Sequence, residues 1–285
     1  MRALIAPPAI GDAIQAWPLL HAVHEAGHDV LAVSAVSDWV ESYLGWTPIP
    51  MVEIGKRAKA REVFDLNGMD EVLDGLQMAG ASNVVGFAPS EVYSEVRPFI
   101  REGQSLYDWH VELGERLGLD LPETFPLTRF PEVNKAGPVL IVPHSSSPDK
   151  NWPMSFFLEL ASELLEQGRS VQWMLPHESM AYKVEQVPLP HGLRTFEPDT
   201  WQDTFSAIDQ AAAVVANDGS PMHIAAAQGI PVVGIFVRSA KSIWFPYSQG
   251  SAEAVGSGNF ERPEGNWCPD VQEVLDALYR VESNR

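Results

Sequence analysis

Two doubly wound α/β domains are what this 285-residue sequence predicts, and three observations lead there. A strand, a loop, a helix and a second strand follow one another at the amino terminus. The same plan restarts after residue 138, and it recurs between residues 200 and 236. Alternation of short apolar strands with helical periodicity marks parallel sheets covered by helices. A chain of this length also exceeds what one hydrophobic core usually serves, so two domains are expected.

The elements read in order as follows. Ala3-Leu4-Ile5-Ala6 is a short buried-type strand, Pro7 to Gly11 a loop, and Asp12 to Glu25 a helix through Ile14, Trp17, Leu20, His21 and His24. Asp29 to Val33 returns as a strand, closing a β-α-β unit. The segment from Phe125 to Pro138 holds prolines at 126, 131 and 138, which discourage regular structure, so it reads as the linker. The expected domains are 1–132 and 133–285. Val139 to Val142 opens the second, followed by the polar loop PHSSSPDKNWP, a helix from about Met154 to Glu166 closed by Gly168, and a strand from Ser170 to Leu175. Thr200 to Ala211 reads as helix, Ala213 to Ala216 as strand, Met222 to Gln228 as helix and Val232 to Phe236 as strand. In such sheets a ligand is expected at the carboxyl ends of the strands, here in a cleft between facing domains.

Charge narrows the function. Against 38 Asp and Glu stand 19 Lys and Arg, a formal net charge of -19 shared by both halves, which repels nucleic acid and anionic membranes. The one cysteine, Cys268, excludes an intrachain disulfide and a thiolate zinc site. No stretch reaches the length of a membrane span, and the amino terminus does not read as a secretory signal, so a soluble cytoplasmic protein is expected. No Asp-x-Asp triplet occurs and the eight histidines are scattered, so no metal and no cofactor are expected. No G-x-G-x-x-G follows the first strand, which argues against a dinucleotide dehydrogenase.

The stretch NDGSPMHIAAAQGIPVVGIF, residues 217–236, gathers Asp218, Gly219, Ser220 and His223 at the mouth of an apolar helix. One reading is a loop and a helix cap. The other is a phosphate cradle: Gly219 would permit a tight turn, and the free N–H groups of the helix would favour an anion such as pyrophosphate. Trp152 and Trp244 read as core or cleft-wall residues, or as platforms for a base or sugar.

This stretch resembles the D-S/T-G-x-x-H-x-A-A-A-x-G-x-P signature of glycosyltransferase family 9, the ADP-heptose heptosyltransferases of GT-B fold. Further segments are similar to that family in the same chain order: IGDAIQAWPLL at 10–20, SLYDWHVELGERLGL at 105–119, PHSSSPDKNWP at 143–153 and CPDVQEVLDAL at 268–278. The resemblance implies two Rossmann-like domains, an acceptor-side one followed by one that binds a nucleotide sugar. It implies an inverting, metal-independent transfer of a heptose-like sugar, from an ADP-linked donor, to an acceptor hydroxyl.

By that resemblance Asp12 takes the acceptor proton. The residues alone also allow Asp12 to be a helix cap, since Asp12-Ala13-Ile14-Gln15 has the form of a capping box. The resemblance gives Lys150 to the donor phosphates, with Ser145 and Ser146 as hydroxyl donors; a solvated lysine and turn-capping serines are the alternative. Asp218 would orient other donors, Gly219 and Ser220 would meet phosphate, and His223 would donate a hydrogen bond or else be satisfied by backbone. Glu178 matches the position that grips the nucleoside ribose in related enzymes. Two departures stand out. VRSAKSIWFPYSQG replaces the family's G-P-T stretch after the last strand, and the acidic DLNGMDEVLDGL replaces an Arg-containing segment in the first domain. A phosphorylated acceptor is thereby disfavoured, leaving a neutral carbohydrate, a protein or a small molecule. The competing readings are a sugar-nucleotide epimerase of similar fold and a non-catalytic nucleotide-binding or scaffold relative.

Overall fold

Runs such as Val139-Leu140-Ile141-Val142 leave no polar face, so their strands must be covered on both sides, and helices do this. The computed structural model describes residues 2–57, 62–96, 104–121, 133–176, 188–245, 250–256 and 268–284. The chain divides into two units, residues 1–129 and 130–285.

The first unit holds β1 (Arg2–Ile5), α1 (Ile10–Gln15), α2 (Trp17–Glu25), β2 (Asp29–Ala32), α3 (Ser34–Leu44) and β3 (Ile49–Pro50). It continues with α4 (Ile54–Arg57), β4 (Glu62–Asp65), α5 (Asp70–Met78), β5 (Val84–Gly86), β6 (Glu95–Val96) and α6 (Leu106–Arg116). Its sheet runs β3-β2-β1-β4-β5-β6, and every neighbouring pair is parallel. Ala3, Ile5, Val63, Val84, Val72 and Leu76 form the core on one face, where burial of apolar area supplies most of the stabilisation. Trp17 and Trp39 are both buried and meet edge to face at 5.2 Å.

The expected single helix from Asp12 to Glu25 is instead two. Pro18 has no N–H to offer the carbonyl of Ile14, so the helix breaks at Ala16 and resumes with the proline in its first turn. The capping-box reading of Asp12 is likewise corrected. The helix starts two residues earlier, with Ala9 as its N-cap, and Asp12 lies in its first turn.

The second unit holds β7 (Val139–Val142), α7 (Met154–Glu166), β8 (Val171–Met174), β9 (Arg194–Phe196), α8 (Trp201–Asp209) and β10 (Ala213–Asn217). It ends with α9 (Ser220–Ala227), β11 (Val232–Ile235), α10 (Lys241–Trp244), β12 (Ala252–Val255) and α11 (Val271–Ser283). Its parallel sheet runs β12-β11-β10-β7-β8-β9. Numbered from the first strand of each unit, the two orders are the same. Connections leave in opposite directions from the central pair, β1 with β4 and β7 with β10, and ligands collect at the strand ends over such a pair.

Helix α7 buries Phe157, Leu160, Ala161 and Leu164, the i, i+3, i+4, i+7 stripe of an amphipathic helix. It closes as expected on Gly168, at φ 75°, with Arg169 N–H donating to Leu164 O and Gly168 N–H to Leu165 O, each at 2.9 Å. Helix α8 starts on a capping box, Thr200 with Asp203, and α11 on another, Asp270 with Glu273. Trp152 proves to be a core residue rather than a platform: it is 1 % exposed, and its Nε1–H donates to Pro269 O at 2.8 Å.

Candidate functional site

The loops after β7 and β10 meet at the carboxyl edge of the second sheet, and one asparagine fastens them. Asn217 Nδ2 donates to Pro143 O at 2.8 Å, and Asn217 Oδ1 accepts from Trp152 N–H at 2.8 Å. Asn151 Oδ1 in turn accepts the N–H of Ser145 at 2.9 Å. The loop from 143 to 152 is thereby held at both ends against β10. Neither asparagine was singled out in the sequence. The signal was present in DKNWP and NDGS, since a buried amide that donates and accepts is a natural fastener between two loops.

This fastening sets Lys150 beside the loop that follows β10. Lys150 lies at the end of a turn, Pro148–Lys150, and its Nζ is 2.9 Å from Asp218 Oδ2. The carboxylate is buried, 3 % exposed, while the lysine side chain is 35 % exposed. Nζ also lies 5.9 Å from the ring centre of Trp244. Asp149, the preceding residue, pairs with Arg238 of the divergent 237–250 stretch, a neighbour the sequence did not reveal.

Gly219 is the N-cap of α9, in extended backbone at φ 176°. Residues 218 and 219 bend the chain from β10 into α9 without a left-handed φ at Gly219, and what the missing side chain leaves is room beside Ser145. Pro221 has no N–H, and Met222 N–H bonds to Gly219 O at 3.1 Å. Among the described residues the N–H groups of Gly219 and Ser220 have no acceptor. Two donors and the positive end of the helix thus face outward together. The helix behind them is apolar on all sides, with Met222 to Ala227 buried, because its alanines let it pack close to β10, β11 and α8.

His223 sits behind Asp218, with Nε2 3.8 Å from Oδ1, and it is 3 % exposed. Burial lowers its imidazole to about 4, against the pull of Asp218, so the ring is neutral near pH 7. Its Nδ1 has no hydrogen-bond partner among the described residues. Ser145 is buried, and its hydroxyl donates to Ser147 O at 2.7 Å, whereas Ser146 is exposed. Glu178 lies outside the described residues.

A pocket of about 330 Å³ opens beside these groups. Its polar side carries Ser145, Ser146, Gly219 and Ser220. Val142, Met174, Leu175, Pro176, Pro198, Trp201 and Pro221 supply the apolar side, with His144, Asp199, Thr200 and Thr204 completing the lining. A cavity of this size, apolar over much of its wall with polar groups at one end, is that of a small-molecule site. Lys150, Asp218, Gly219, Ser220, His223, Ser145 and Ser146 are thus gathered at one edge of the second unit. Asp12 belongs to the first unit, half-buried on α1. Among the described residues no three His, Cys, Asp or Glu side chains come together as a metal-binding set, and no helix is long and apolar enough to cross a membrane.

Comparisons agree with this architecture. The chain is similar in fold to E. coli ADP-heptose LPS heptosyltransferase II, at 19% identity and TM-score 0.70, covering 99% of this chain and 98% of that one. It is similar to a glycosyl transferase family 9 protein from Veillonella parvula, at 16% identity and TM-score 0.72, covering 100% and 98%. It also resembles E. coli heptosyltransferase WaaC, solved with ADP, at 15% identity and TM-score 0.67, covering 99% and 100%. These likenesses establish the two-domain α/β fold of GT-B type. No curated protein sequence matches significantly. The sequence model of glycosyltransferase family 9 (heptosyltransferase) matches residues 112–266, a span that holds both site loops. That span is more than half of the chain, and the protein is a glycosyltransferase belonging to family 9.

Proposed function

We propose that the protein transfers a heptose-like sugar from a nucleotide-diphosphate donor, ADP-linked, to an acceptor hydroxyl, with inversion and without a metal. The observation that carries this reading is the pairing of a cation, Lys150, with two N–H groups at the start of α9 that have no acceptor among the described residues, beside a pocket of nucleoside size. A departing diphosphate develops negative charge, and a fixed ammonium and helix-end donors are suited to hold it. Asp218 keeps Lys150 in place before the donor arrives, and His223 backs Asp218. Asp12 is the base that removes the acceptor's proton, and direct attack opposite the leaving group inverts the anomeric centre. The WaaC structures contain ADP and ADP-2-deoxy-2-fluoro heptose, which supports an adenine-linked donor here.

The acceptor we infer is neutral: a carbohydrate, a protein or a small molecule. In the first unit Asp70 and Glu71 are exposed in the first turn of α5, where a phosphorylated acceptor would meet like charge. The half-buried lone Cys268 fits a reaction in the reducing cytoplasm.

The test is to incubate the protein with ADP-, GDP- and UDP-linked sugars and candidate acceptors in EDTA, following nucleotide release and product configuration by NMR. Transfer with inversion is expected, ADP-linked donors being preferred. Asp12→Asn should lower turnover by about 10²- to 10⁴-fold while leaving nucleotide affinity unchanged. Full turnover in that variant would remove Asp12 from the chemistry, and release of free or epimerised sugar without transfer would overturn the reading.

A further inference from the structure

His144 lies two residues beyond β7, a strand of the central pair of the second unit, and no part of the mechanism above uses it. Its neighbours on both sides are fastened, Pro143 O to Asn217 and Ser145 N–H to Asn151, so the ring is carried on fixed backbone. The residue is 6 % exposed and lines the pocket. It has no hydrogen-bond partner among the described residues, yet its ring nitrogens are not sealed as Nδ1 of His110 and of His223 are. β7 and β8 run with Ile141 beside Trp173, which brings the apolar strand ends Val142 and Met174 into the same wall as this ring.

We infer that His144 is a specificity-determining contact, one that hydrogen-bonds the nucleoside part of the donor where the apolar side of the pocket meets the phosphate end. This deepens the donor reading above and rests on it. A neutral imidazole offers one donor and one acceptor, which matches a base edge or a ribose hydroxyl. Burial keeps the ring neutral, down to about 4, so it is not a phosphate-pairing cation. That part is already filled by Lys150 and the start of α9. A partly desolvated ring with unmet hydrogen bonds discriminates strongly, because a ligand that leaves it unpaired loses affinity.

The test is isothermal titration of ADP, GDP and UDP into the full chain. For the tightest of the three, His144→Ala should weaken binding about ten-fold. His144→Gln, which keeps a donor and an acceptor, should stay within about three-fold of the parent. In a His144→Ala, Lys150→Met double variant the two losses should multiply, because the side chains serve different parts of the ligand. The inference is overturned if His144→Ala binds as well as the parent, if Gln is no better than Ala, or if the His144 loss vanishes once Lys150 is gone. Thermal melting of each variant separates a lost contact from a lost fold. If the parent binds none of the three nucleotides, the donor reading itself fails, an outcome distinct from these.

Discussion

The carboxyl end of the corresponding strand in the two units carries an aspartate with two different fates. Asp65 ends β4 and Asp218 follows β10, and each strand lies next to the first strand of its own sheet. Asp65 is closed in on its own loop. Oδ1 accepts the N–H groups of Asn67 and Gly68 at 2.8 and 3.2 Å, and Oδ2 accepts the hydroxyl of Tyr93 at 2.9 Å. Burial raises its carboxyl above the usual range, against the pull of those hydrogen bonds. Gly86 makes the tyrosine contact possible, since a Cβ there would lie 2.1 Å from the Tyr93 ring. Asp218 instead faces Lys150 and His223 at the edge of a pocket. The same topology therefore places an aspartate at each strand end, and local neighbours decide whether it fastens its own loop or joins the candidate site.

Removing the cation should break this contrast with the largest effect. Lys150→Met leaves a buried carboxylate beside the pocket with no ammonium to face the diphosphate. Nucleotide affinity measured by titration should fall about hundred-fold. An unchanged affinity would mean that Lys150 serves Asp218 alone.

Acid should separate the two units next. His223 is depressed to about 4 from an ordinary 6.5, so the folded form resists a proton that the unfolded chain accepts. Its contribution is present above pH 6.5 and is lost as pH falls through the window toward 4, about 2 kcal/mol of it between pH 6.5 and 5. His110 of the first unit, lowered to about 3 chiefly by burial, acts in the same direction over a wider window that also opens at pH 6.5. Asp65 acts in the opposite direction: a raised carboxyl favours the folded state at low pH, and that advantage disappears as pH rises through its folded value. Urea unfolding of the parent and of His223→Gln at pH 7.5, 6.0 and 5.0 checks this, and equal acid sensitivity in both proteins would refute it.

The smallest effect is expected from Tyr93→Phe. Losing the hydroxyl removes one hydrogen bond to Asp65 and should cost about 1 kcal/mol in urea unfolding, with nucleotide affinity unchanged. A change in affinity would make Asp65 more than a loop fastener.

Much of this was legible in the chain itself. The helix from Met154 to Glu166 and its Gly168 stop follow from a 3.6-residue apolar stripe and a left-handed cap, both local signals. Residues 217–223 stood out because polar side chains rarely crowd the mouth of so apolar a helix. The break at Ala16 was written in Pro18 but masked by continuous apolar spacing, and the start of α1 was masked by an aspartate that imitates a cap.

What the sequence determined alone were the two doubly wound units, the family and the two loops of the candidate site, because periodicity, turn residues and charge act over a few neighbouring positions. Only the tertiary structure decided that Asn217 fastens residues 143 to 152, that Asp218 holds Lys150, and that Trp152 is core. It also decided that His144 meets the pocket with no hydrogen-bond partner among the described residues. These contacts join residues that lie far apart in the chain or on different strands, and burial and distance are set by how the sheet brings strand ends together.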